Sequence, residues 1–170
     1  MKEIIVTNRA LCSGDFMQQI EKALQSKPWG LLLREKDLAP AQYAELAARV
    51  APLCRAHGVR LIAYQPHAGD FVHMPFSQVK PVSQLFSVSV HSVEEAIAAQ
   101  ALGTAFVIAG HIFATQSKPG LPPRGLDFLH AVCDSVTVPV FAIGGITDEN
   151  AQACLAAGAA GFCRMSAWFK

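Results

Sequence analysis

Apolar and polar positions fall in blocks along this chain: short runs rich in Ile, Val, Leu and Phe are followed by longer segments whose apolar residues recur at helical spacing. The short runs are EIIVT (3 to 7), GLLLR (30 to 34), RLIAY (60 to 64), DFVHM (70 to 74), LFSVSV (85 to 90), AFVIAG (105 to 110), PVFAIG (139 to 144) and AGFCRM (160 to 165). Between them stand GDFMQQIEKALQS, APAQYAELAARVAPLCRAHG, SVEEAIAAQALG, GLDFLHAVCDSV and TDENAQACLAAGA, several opening on a Ser, Thr or Asp cap and closing on Gly. Strands so continuously apolar fit a parallel sheet covered on both faces. Eight of them in β-α rhythm predict an α/β fold, the (β/α)8 or TIM barrel, as one domain over residues 1–170.

Such barrels usually take about 250 residues and compact ones about 200, so a chain of 170 must be trimmed. Only QPHAG separates RLIAY from DFVHM, too little for a crossover helix, and nothing after SAWFK can form a closing one. The expectation is a barrel lacking its third and eighth helices, with apolar wall left bare near Trp168 and Phe169. A second copy of the chain, in a homodimer, is the expected cover. The competing architecture is an open doubly wound sheet of fewer strands.

Composition narrows the function. With 52% hydrophobic and 16% charged residues the chain has ample core material, and its formal charge of +1, without a basic cluster, argues against a nucleic-acid partner. No apolar run approaches the roughly 20 residues of a membrane helix, so no membrane partner and a cytoplasmic location are expected. The five cysteines show no C-x-x-C spacing, which suggests reduced buried thiols rather than zinc ligands or disulfides.

In barrels of this kind chemistry gathers at the C-terminal strand ends. That rule selects Arg34 and Lys36 after the second strand, Ser89 in the fifth, His111 with Thr115, Ser117 and Lys118 after the sixth, Gly144 and Gly145 after the seventh, and Ser166 after the eighth. Gly144-Gly145 before a helix suits an anion approaching backbone N–H groups, although tight turns use glycines for steric reasons as well. Ser166 adds a hydroxyl there, and Arg34, Lys36 and Lys118 offer positive charge to a phosphate or diphosphate. Thr115 and Ser117 read equally as hydroxyl donors or as ordinary loop polarity. His111, at a strand terminus facing the mouth, is placed to move protons. Glu94 and Glu95 read as helix-start charges, and His67 and His73 as structural, since no carboxylate pattern around them supports a metal.

Taken in order, VTNR (6 to 9), LLLREKDL (31 to 38), SVSVHSVEEA (87 to 96), GHIFATQSKPGLPPRGL (110 to 126), PVFAIGGIT (139 to 147) and AAGAAGFCRMSA (156 to 167) resemble the thiamine phosphate synthase/TenI superfamily of phosphate-binding barrels. Its synthases join a pyrimidine methyl diphosphate to a thiazole phosphate with magnesium; some TenI-type members are thiazole tautomerases. Synthases usually carry Asn-Asp after strand three and another acidic residue after strand four, whereas Tyr64-Gln65-Pro66-His67 and His73-Met74-Pro75-Phe76 stand here. Leu32 stands where synthases often have Gln. Gly110-His111, where synthases resemble Gly-Pro, and Arg124 are similar to the TenI branch.

The resemblance therefore implies first a TenI-like tautomerase. His111 would shuttle a proton on a carboxythiazole phosphate without any cofactor. Gly144, Gly145 and Ser166 would hold the phosphate with Thr115 and Ser117, while Lys118 and Arg34 would meet the substrate's negative groups. The alternative is a thiamine phosphate synthase, favoured by Arg34, Lys36, Ser89 and Lys118, which would bring in magnesium. A third reading is a non-catalytic paralogue that keeps the phosphate cradle.

Overall fold

The computed structural model describes residues 2–169. Eight parallel strands form a closed barrel in sequential order: β1 (Lys2–Val6), β2 (Gly30–Leu32), β3 (Arg60–Ala63), β4 (Phe71–Pro75), β5 (Phe86–Val90), β6 (Phe106–Gly110), β7 (Val140–Ile143) and β8 (Gly161–Arg164). Each lies within or beside an apolar run of the sequence. The pairing of β8 with β1, from Lys2 opposite Gly161 to Ile5 opposite Arg164, closes the sheet and excludes the open doubly wound alternative.

Five α-helices fill connections: α1 (Phe16–Leu24), α2 (Pro40–His57), α3 (Val93–Ala101), α4 (Gly125–Ser135) and α5 (Ala151–Ala156). Their ends follow the signals in the sequence. Asp15 accepts from the Gln18 N–H at the start of α1, Ser92 accepts from Glu95 at the start of α3, and Gly58 takes the left-handed conformation that ends α2. Glu95 in turn accepts from the His91 N–H, so its structural reading holds.

Among the described residues, helix is missing between β3 and β4 and after β8, matching the expectation, and also between β4 and β5, where only a 3-10 turn (Phe76–Gln78) forms. The segment FSQVKPVSQL explains that third gap: its apolar residues lack a 3.6-residue period, and Pro81 interrupts it. The expectation of bare wall near Trp168 and Phe169 is corrected. Phe169 is fully buried, its ring 5.7 Å from Phe16. The Trp168 indole N–H donates to Glu3 Oε1 at 2.8 Å, and Gln19 Nε2 donates to the Trp168 carbonyl at 2.5 Å. The five residues from Met165 to Phe169 thus cover the wall where a helix was expected to be missing.

The lumen is packed, not open. Ile4, Val6, Leu32, Ile62, Phe106, Ile108, Phe141 and Cys163 fill it, and Trp29, just before β2, joins Phe71, Phe106 and Phe141 in an aromatic plug at the N-terminal end. Ring centroids there lie 4.9 to 6.1 Å apart in tilted and edge-to-face pairs, which add to the burial of large apolar surface. Polar groups are left to the opposite end. Phe106→Ala would leave a cavity inside the plug and is expected to lower unfolding free energy by about 3–5 kcal/mol, measured by urea denaturation; a loss under ~1 kcal/mol would contradict the plug's role.

Candidate active site

The end of β2 supplies the first part of the mouth. Thr7, fully buried at the end of β1, donates to Glu35 Oε1 at 2.7 Å and accepts the Arg34 N–H at 2.9 Å. Both Glu35 oxygens also accept the Arg9 N–H at 3.1 Å. Glu35 is therefore a brace between β1 and β2, its carboxylate already engaged where it borders the cavity. The brace sends Arg34 toward Tyr64, whose hydroxyl it hydrogen-bonds. Tyr64 is fixed from the other side: its N–H donates to the Tyr43 hydroxyl at 2.9 Å, which donates to the Leu33 carbonyl at 2.7 Å. Burial raises the Tyr43 phenol well above its ordinary pKa, so that donor is permanent at any physiological pH.

Lys36 lies with its ammonium 5.0 Å over the Tyr64 ring. Partial burial, and then the charges of Arg34 and Lys118, hold its pKa below the ordinary lysine value. Three cations thus share one field at the ends of β2 and β6. A carboxylate does not figure among the causes of that shift.

β4 and β5 contribute a buried polar triad. Strand alternation turns His73 inward with Phe71, and Ser87 with Ser89. His73 Nδ1 is 2.8 Å from Ser87 Oγ and Nε2 is 2.7 Å from Ser89 Oγ. Its ring meets Tyr64 edge-on at 5.7 Å. Burial, followed by the charges of Lys36 and Arg34, drives its pKa down to about 3, so the imidazole is neutral and one ring nitrogen donates while the other accepts. A cavity of about 590 Å³ opens beside these groups, lined among others by Lys36, Tyr64, His73, Met74 and Lys80. Its wall runs along β4 and the turn that follows, where helix is absent.

The remaining sequence-selected residues sit on the β6, β7 and β8 side. His111 follows β6 directly, with Nε2 3.3 Å from the Leu121 carbonyl. Gly144 and Gly145 both have positive φ, and a Cβ at either would overlap the β6 loop: the His111 side chain at Gly144, the Ala114 carbonyl at Gly145. Their glycine identity therefore answers to close packing beneath His111. The turn does not run straight into a helix, because α5 begins only at Ala151 and Asn150 Oδ1 already accepts the Thr147 N–H at 2.9 Å. Thr115 Oγ1 accepts from the Ser117 N–H at 3.3 Å, which shapes the loop carrying Lys118. Ser166 is exposed in the turn after β8.

The donor set does not fit magnesium. Among the described residues no group of three or more His, Cys, Asp or Glu gathers to hold a metal. The stretches after β3 and β4 contain no carboxylate, Glu35 is engaged by Thr7 and Arg9, and Asp70 accepts from Leu61 N–H at 2.7 Å at the opposite end of the barrel. Magnesium is usually held through one or two carboxylates, and this mouth gathers no such set.

The sequence profile described as thiamine monophosphate synthase matches residues 3–168. The chain belongs to that family. Its sequence is 32% identical to the thiamine-phosphate synthase 2 of Streptococcus pneumoniae serotype 4 over 92% of this chain and 82% of that protein. It is 30% identical to the thiamine-phosphate synthase of Fusobacterium nucleatum, over 97% of this chain and 87% of that one. The fold superposes on thiamine phosphate pyrophosphorylase from Pyrococcus furiosus with a TM-score of 0.86 at 25% identity, covering 98% of this chain and 86% of that one. These names place the chain in thiamine biosynthesis, among relatives called synthases rather than tautomerases.

Tyr43 and Tyr64 were not selected from the sequence, and His73 was read there only as structural. The available signal was parity: DFVHM puts Phe71 and His73 on one face, and FSVSV does the same for Ser87 and Ser89. Because the folded imidazole titrates near 3 and an unfolded one near 6.5, protonation favours the unfolded chain. The stability that neutral His73 preserves is complete above pH 6.5 and is lost as pH falls toward 3. Urea titrations at pH 7 and pH 5 are expected to differ by about 2 kcal/mol more in the wild type than in His73→Gln. Equal pH dependence in both proteins would contradict a buried neutral His73.

Proposed function

We propose that this chain is a thiamine-phosphate synthase: it joins a pyrimidine methyl diphosphate to a thiazole phosphate. The methylene–oxygen bond to the diphosphate breaks, a methylene–nitrogen bond to the thiazole forms, and pyrophosphate leaves. The observation that carries this reading is that Lys36, which lines the cavity, lies in the field of two further cations, Arg34 and Lys118. Charge builds on the leaving group as the bond breaks, and fixed cations in a partly desolvated site stabilise that charge more than they stabilise the substrate. Arg34 and Lys36 would hold the diphosphate from β2 and Lys118 from the loop after β6. Ser89, oriented by neutral His73, would bind the heterocycle. Gly144, Gly145 and Ser166, at the adjoining ends of β7 and β8, would receive the thiazole phosphate, with Thr115 and Ser117 supplying hydroxyl donors from the facing loop. The synthase names of the relatives support this order of preference over the tautomerase implied by Gly110-His111.

One observation favours the second reading, a TenI-type thiazole tautomerase without a cofactor. His111 is held at the mouth by the Leu121 carbonyl and by the close approach of Gly144. An imidazole so placed is suited to proton transfer on a bound ring.

Both readings are separated by one pair of assays. Purified protein with both synthase substrates is expected to form thiamine phosphate, detected after oxidation to its fluorescent product, and Lys118→Ala is expected to lower the rate about 10²-fold or more. His111→Ala should leave substantial coupling. Absence of thiamine phosphate, with aromatisation of a carboxythiazole tautomer phosphate that His111→Ala abolishes, would replace the synthase reading by the tautomerase one.

A further inference from the structure

The wall that should bind a metal in a synthase carries the opposite charge here. After β3 and β4 the chain offers Gln65, Pro66 and Pro75 to the cavity, and the residue further along that wall with a charge is Lys80. Lys36 and Lys80 both line this cavity, and its only lining carboxylate, Glu35, accepts from Thr7 and Arg9. Arg34, tied to Tyr64, and Lys118 add two more cations to the same end. An acidic wall needs a divalent ion between itself and a diphosphate. A basic wall does not, and would repel that ion.

We propose that this cleft binds a diphosphate directly, with Lys80 on the β4 wall and Arg34, Lys36 and Lys118 opposite, and with no divalent cation bridging protein and ligand. Free diphosphate at neutral pH carries several negative charges, which four side-chain cations can match through charge-assisted hydrogen bonds. Arg34 supplies a planar fork whose orientation the Tyr64–Tyr43–Leu33 chain fixes in advance. Partial burial, and then the like charges of Arg34 and Lys118, lower the Lys36 pKa, and a bound anion offsets both. Magnesium, which complexes diphosphate in solution, then competes with the protein instead of assisting it. The inference deepens the synthase reading and concerns the ligand's charge partner alone.

Calorimetric titration of the full chain with inorganic pyrophosphate tests it, once in EDTA and once in excess magnesium. Expected is binding in EDTA that weakens in magnesium. Lys80→Gln, a change at an exposed position, should weaken the EDTA binding roughly tenfold, the equivalent of about 1.4 kcal/mol, while leaving urea stability unchanged. Binding that appears only with magnesium, or no binding in either buffer, would overturn the inference, as would an unaltered affinity in Lys80→Gln. The outcome is independent of turnover. Metal-free pyrophosphate binding without coupling would retire the synthase reading and keep this site; coupling together with magnesium-dependent pyrophosphate binding would do the reverse.

Discussion

The pairing of β8 with β1 is the contact on which the rest of the structure depends. Seven parallel pairs make an open sheet with two exposed edges; the eighth removes both edges and puts the ends of β7 and β8 beside those of β1 and β2. The seam is tight. At Gly161 a Cβ would run into the Lys2 carbonyl and the Phe141 ring, so closure requires the smallest residue there. Once closed, the lumen is filled from the N-terminal end by Trp29, Phe71, Phe106 and Phe141, with Arg60 4.8 Å above Trp29. Apolar filling at one end leaves the polar inward positions, Ser87, His73 and Ser89, with Tyr64 beside them, toward the other. The site's location is thus a consequence of how the barrel is packed.

Trimming has different effects on the two sides. On the β8–β1 side the residues after β8 cover the wall: Arg164 pairs with Glu3 at 2.8 Å and with Asp148, Glu3 also accepts from Trp168, and Phe169 seats against Phe16. On the β3–β4–β5 side nothing equivalent follows β4, and the wall opens into the cavity lined by Met74 and Lys80. The same economy of chain therefore seals one wall and shapes the binding cleft at the other.

Strand positions were legible because each buried parallel strand is a short apolar block between turn residues, and all eight lie where those blocks fall. The missing third helix could be read from connection length alone. The missing helix after β4 was harder to read, since FSQVKPVSQL is twice the length of QPHAG and its failure is one of pattern as well. Candidate cations were legible by their place after strands, but that Arg34, Lys36 and Lys118 share one field is a tertiary fact. The role of His73 is not legible from its sequence neighbours, because its partners Ser87 and Ser89 lie a strand away. Gly144 shows the converse: its likeness to a phosphate turn is visible in sequence, while its packing under His111 is visible only in the fold.

The cations of this mouth share their cavity with a β4 wall on which the charged residue is Lys80 rather than an acid. Glu35 does not compensate, because bracing β1 to β2 occupies both its oxygens. The most direct measurement is a crystal structure grown with pyrophosphate and manganese, with anomalous data collected at the manganese edge. The account predicts pyrophosphate among Arg34, Lys36, Lys80 and Lys118 with no anomalous peak in the cleft; a manganese ion bridging the ligand to protein oxygens, or pyrophosphate bound elsewhere, would contradict it.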